Sequence, residues 1–124
     1  MSDVFLAPRD LVTVVIDGNY TLVATDAGKS IDVDGSTDTV TVTVPTNATV
    51  PFPIGTIVEV VNLTTNAVDI EGDTGVTVRS FDEDDAENGS TALRRMAGRY
   101  AAASLRKLDD DDWLLIGQFE GLSP

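Results

Sequence analysis

Apolar and polar positions alternate with a period of two along most of this chain. The clearest case is Thr39 to Pro45, where Val40, Val42 and Val44 alternate with Thr39, Thr41 and Thr43 before Pro45 ends the run. β-Branched residues at that period describe a strand and not a helix. The same pattern predicts strands at Thr56 to Val61, Val76 to Arg79 and Trp113 to Gly117, each bounded by Gly, Pro, Asn or Asp. Leu11 to Ile16, LVTVVI, is nearly continuous apolar sequence, suited to a strand buried on both faces or at a subunit contact. Shorter strands are predicted at Tyr20 to Ala24, Ser30 to Val33, Ala67 to Glu71 and, with alanines weakening the pattern, Tyr100 to Leu108.

The punctuation between these runs sets the expected topology. Asp17-Gly18-Asn19 stops the first strand, Asp34-Gly35 and Gly72-Asp73-Thr74-Gly75 are tight hairpin signals, and Asp109 to Asp112 is a polar turn. Pro51 and Pro53 flank Phe52 in a loop where proline blocks ladder bonding, so Phe52 is expected to plug the end of the core. Leu93 to Ala97 reads as a helical turn that Gly98 keeps short. No long internal repeat is visible, which argues against a solenoid or propeller. The expectation is an all-β chain: a small antiparallel β-sandwich or barrel-like domain over residues 11–124, preceded by an extended N-terminal arm over residues 1–10.

Composition adds charge to this picture. The 124 residues suffice for one core, and 42% of them are apolar. Against 8 basic residues stand 21 acidic ones, a formal net charge of −13 that repels phosphate backbones and anionic lipid, so neither nucleic acid nor membrane is an expected partner. The N-terminus carries no basic region ahead of its apolar residues, and no run approaches the ~20 apolar residues a spanning helix needs. Without secretion, the N-x-[ST] matches at Asn19, Asn47, Asn62 and Asn88 read as turn residues.

Candidate chemistry is sparse. The chain has no His, no Cys and no glycine-rich phosphate loop, so no catalytic, cofactor or metal residue is assigned and the protein is expected not to be an enzyme. Asp32-Val33-Asp34-Gly35-Ser36-Thr37-Asp38 resembles half a calcium loop, but Gly35 comes two residues early and no closing Glu follows. Trp113 and Tyr100 could stack on a sugar, yet each lies in an apolar or alternating run that favours the core or a subunit contact. Five carboxylates crowd FDEDDAENGS (81–90), expected to be a mobile exposed loop, and five of the eight basic residues follow at Arg94, Arg95, Arg99, Arg106 and Lys107. These cations have carboxylates to find, within the protomer or across an interface. Candidate partner-binding residues are therefore Arg94 and Arg95, together with Val4, Phe5, Leu6 and Pro8 of the arm.

The segments YTLVATDAGKSIDVD (20–34), TVTVTVPTNATVPFPIGTIVEVVN (39–62), GVTVRS (75–80) and YAAASLRKLDDDDWLLIG (100–117) follow one another in an order that resembles a small β-module of tailed-bacteriophage virion structural proteins. The acidic insertion at 82–87 departs from that pattern. The resemblance implies a virion component with no catalytic residues to transfer. Because the module fills the chain from Met1, it is most like a capsid decoration, or cement, protein, which implies binding to the major capsid protein, a homotrimer, and a place on the capsid surface after synthesis in the host cytoplasm. The alternative is a tail-fibre or baseplate host-recognition module, and the third reading is a carbohydrate-binding domain.

Overall fold

A computed structural model describes residues 13–120. Ten strands form two mixed sheets among these residues, and no α-helix is present among them. The strands are β1 (Thr13–Ile16), β2 (Tyr20–Thr21), β3 (Ser30–Val33), β4 (Val40–Val44), β5 (Ile57–Asn62), β6 (Val68–Gly72), β7 (Thr77–Ser80), β8 (Arg94–Arg95), β9 (Ala102–Asp109) and β10 (Asp112–Gly117). One sheet has the order β1-β3-β5-β9-β10-β7 and the other β2-β4-β6-β8.

The expected antiparallel arrangement is not what forms. From β1 to β6 each strand lies in the sheet opposite its predecessor and pairs in parallel with the strand two before it: β1 with β3, β3 with β5, β2 with β4 and β4 with β6. The chain therefore winds between the sheets in three successive circuits. This coil is also at odds with the argument against a solenoid drawn from the missing repeat. Its circuits are unequal, with Thr13 opposite Ser30 but Ser30 opposite Glu59, so they leave no period in the sequence. Asp34-Gly35 and Gly72-Asp73-Thr74-Gly75 turn the chain as expected but carry it from one sheet to the other, and neither makes a hairpin. The Asp109–Asp112 turn does close one, β9 against β10, with Asp111 in the left-handed region at φ 53°. Antiparallel pairing otherwise joins β5 to β9 and β6 to β8, while β7 runs parallel to β10.

Alternation decides what is buried. Along β4, Val40, Val42 and Val44 turn inward while Thr41 and Thr43 are half-exposed. Ile31, Val33, Val58, Val60, Leu105, Trp113 and Leu115 from the larger sheet join Val40, Val42, Val44, Val68 and Ile70 from the smaller in one core. Phe52 is buried there edge-on to Trp113, with ring centroids 5.6 Å apart, as its proline-flanked loop foretells. Ala101, just before β9, and Ala103 within it are small core residues, while Ala102 between them faces out. Tyr100 is not in that strand: it sits before it at φ 71°, largely exposed beneath the Arg99 guanidinium. Leu93 to Ala97 is not a helical turn either, since Arg94 and Arg95 pair with Ile70 and Asp69 as β8. Tyr20 to Ala24 shortens to a two-residue strand followed by a 3₁₀ turn at Ala24–Asp26.

Gly117 permits the closest strand approach. A Cβ there would lie 2.5 Å from the Ala102 carbonyl oxygen and 2.6 Å from the Ala103 Cα, both backbone atoms that cannot swing aside. Gly117→Ala is expected to destabilise the fold by about 2–4 kcal/mol in denaturant unfolding. Gly18→Ala, with nothing within 4 Å of its Cβ, is expected to change stability by no more than about 1 kcal/mol. Equal effects of the two substitutions would contradict this packing.

Candidate functional site

The adjacent residues Arg94 and Arg95 point to opposite faces of β8, as neighbours on a strand must. Arg95 turns outward and forms a bidentate pair with Asp69, Nε to Oδ1 at 2.7 Å and Nη2 to Oδ2 at 3.0 Å. That hydrogen bond, then the carboxylate's charge, raises the Arg95 pKa above its already high ordinary value. Arg94 turns inward and is only 6% exposed. Its Nη1 donates to Ser80 Oγ at 2.6 Å and to the Phe81 carbonyl at 3.1 Å, and its guanidinium carbon lies 4.9 Å from the centroid of the Phe119 ring. Nε has no hydrogen-bond partner. The structure thus does not bring the two arginines to one surface: one is tied to a carboxylate of its own chain, the other lies inside. Val4, Phe5, Leu6 and Pro8 lie outside the described residues.

Arg94 lines an open cleft of about 510 Å³ with Phe81, Leu114, Ile116 and Phe119, and Asp82, Glu83 and Glu120 also border it. The acidic insertion is therefore one wall of a concavity as well as an exposed loop. Its 3₁₀ turn, Glu83–Asp85, is capped by the Asp82 side chain accepting from the Asp84 amide at 2.9 Å.

A second surface is the outer face of the six-stranded sheet. Its registers place Val15, Asp32, Val61 and Ala102 in one row, Thr13, Ser30, Glu59, Ser104 and Ile116 in the next, and Ile57, Arg106, Leu114 and Arg79 in a third. Asp32 and Glu59 in these rows stand against Arg106, while Arg79 is held by Asp112 of the neighbouring strand, Nε to Oδ1 at 2.9 Å, which leaves the face with a small net negative charge. Val15, Ile57 and Ile116 are 66%, 47% and 58% exposed. Across the sequence these residues are scattered, so only the registers reveal a nearly neutral patch on a chain of net charge −13. The apolar run at β1 is buried on neither face within the described residues: Val14 and Ile16 are half-buried against the core and Val15 faces out.

Other candidates resolve into structural roles. Among the described residues no group of three or more Asp or Glu side chains converges as a metal site. Within the calcium-like segment, Asp32 accepts from Ser30 Oγ and Asp38 from the Thr39 amide. Trp113 is buried in the core and presents no surface ring. Of the four glycosylation-like asparagines, Asn62 is a buried hub at the end of β5: its Nδ2 donates to the carbonyls of Asn66 and Gly98, and its Oδ1 accepts from the Thr64 amide. Lys107, the last of the basic run, is 1% exposed, and its Nζ donates to Asn47 Oδ1 and the Phe52 carbonyl. For both Arg94 and Lys107 the sequence predicts carboxylate partners, within the protomer or across an interface, and both instead turn inward onto neutral oxygens. Lys107 shares the inward phase of Ala103 and Leu105, whereas Arg94, expected in a helical turn, has no such pattern to follow. The chain matches no family model and no curated protein.

The Tyr20 hydroxyl is perturbed by this geometry. Asp26, buried at the first 3₁₀ turn, accepts from the Tyr20 hydroxyl and the Val23 amide at 2.8 Å each. Burial first, then the hydrogen bond and charge of Asp26, push the Tyr20 pKa from 10.0 up to about 12. Because the folded pKa is the higher one, this stabilisation is complete below about pH 10 and is lost as pH rises through about 12. In Tyr100→Phe protein, which keeps Tyr20 as its one tyrosine, ultraviolet titration is expected to give a midpoint near 12 while circular dichroism shows the fold intact. Asp26→Asn should move it back toward 10. A midpoint at the ordinary value in the parent would refute the buried Tyr20–Asp26 pair.

Proposed function

We propose that this chain is a non-enzymatic structural component of a tailed-bacteriophage virion, a decoration protein that lies as a trimer on the major capsid protein shell and strengthens it. In this reading the two sheets face one another as a β-sandwich, supported by the single core that both sheets fill and by Arg94, whose bonds run from β8 to the end of β7. The segments that carry the virion resemblance supply β2 to β5, β7, β9 and β10, with most of the core.

The observation that carries the reading is the nearly neutral, partly apolar outer face of the larger sheet. A chain of net charge −13 repels its own copies at most surfaces, so a protein that stands beside many copies on a shell needs a face on which that charge is low. The face begins at β1, the edge strand that leads directly back to the N-terminal residues, so the arm and the face would engage the shell side by side.

Quantitative mass spectrometry of purified particles is expected to find the chain in hundreds of copies; a handful would favour the tail-fibre or baseplate reading instead. Ile57→Lys and Ile116→Lys, both at exposed positions, are expected to leave the fold intact and weaken particle binding at least tenfold, about 1.4 kcal/mol. Undiminished occupancy of both variants would overturn the assignment of this face.

A further inference from the structure

We propose that the cleft between the Phe81–Glu83 segment and β10 binds a segment of a partner polypeptide that carries a carboxylate side chain next to a basic one, with the carboxylate on Arg94. The proposal goes beyond the virion reading and does not depend on it.

Arg94 is the starting point. A guanidinium has five donors, and a buried one is stable when a carboxylate takes two of them in parallel, as Asp69 does for Arg95. Arg94, nine-tenths buried, has no carboxylate bonded to it among the described residues; its two hydrogen bonds both come from Nη1 and go to neutral oxygens, and Nε is unpaired. An unpaired buried donor on a charged group is costly, and the residue that carries it lines a cleft large enough for several atoms of ligand. The Phe119 ring beneath the guanidinium supplies a flat apolar face against which a carboxylate would bind as a planar pair.

The border of the same cleft excludes a simple anion. Asp82, Glu83 and Glu120 surround the entrance, so an approaching inorganic anion or a doubly acidic peptide meets repulsion before it reaches Arg94. A ligand that places a cation at the rim as it places a carboxylate below satisfies both layers. The apolar walls, Ile116 and Phe81 among them, match the stem of such a side chain. A polypeptide is favoured over a free zwitterion because the ladder of β7 on β10 ends at Ser80 and Leu115 while Ile116 and Gly117 continue along the cleft, so an extended segment can pair with β10 there while one side chain reaches Arg94.

The test uses the whole chain labelled with ¹⁵N and the Arg94 Nε–H resonance, identified by its loss in Arg94→Lys. The probe acetyl-Leu-Glu-Lys-Leu-amide is expected to shift that resonance saturably. The Gln-for-Glu and Glu-for-Lys versions of the peptide are expected to bind at least tenfold more weakly, and free glutamate more weakly than the parent peptide. Phe81→Ala and Glu83→Gln, both at exposed positions, should keep the fold and weaken binding, which guards against an Arg94 variant that fails to fold. An unmoved Nε–H resonance, or an equal response to the Gln peptide, would overturn the carboxylate assignment. Equal binding of the doubly acidic peptide would overturn the bipolar one, and free glutamate binding as tightly as the peptide would overturn the polypeptide source.

Discussion

The pairing of each early strand with the strand a full circuit before it is the constraint on which the rest of this structure depends. β1, β3 and β5 lie side by side in one sheet and β2, β4 and β6 in the other, so no circuit completes its backbone hydrogen bonding alone. Stability must arise from stacking, as in other coiled β architectures, although here the circuits differ in length. The antiparallel strands β8 to β10 and the parallel β7 then cover the last circuit and supply Trp113, Leu105 and Leu115 to the core. At the opposite end β1 and β2 are the edge strands among the described residues.

Loops that cross between sheets pass over the ends of the core, where backbone groups have no ladder partners. Buried polar side chains serve them. Asn62 holds the carbonyls of Asn66 and Gly98, Lys107 holds that of Phe52, Asp26 accepts the Val23 amide, and Arg94 holds the Phe81 carbonyl. Each is a side chain whose desolvation is offset by a bond to a loop that would otherwise lack one. Arg94 alone among these leaves a buried nitrogen without a partner, which sets it apart from a purely structural tie.

Charge is distributed to match. The acidic residues crowd loops and turns such as Asp82 to Glu87 and Asp109 to Asp112, where water screens them. The rows of the larger sheet carry few carboxylates, and the registers set Glu59 between Ser30 and Ser104 and Asp32 between Val15 and Val61, so neither meets a like charge directly opposite.

Most strands were legible in the sequence because side-chain alternation is local: Ser30 to Val33 and Val40 to Val44 could be read from β-branched residues at period two, and Phe52 from its flanking prolines. Which strand each would pair with was not legible, since alternation looks the same in parallel and antiparallel neighbours, and Asp34-Gly35 bends the chain equally well into a hairpin or across to another sheet. The same limit governs the sites. The sequence by itself determined an acidic all-β chain with a late cluster of basic residues. Only the tertiary structure decided that Lys107 and Arg94 of that cluster turn inward while Arg95 meets Asp69, because the direction of a side chain on a strand follows from the sheet that recruits it.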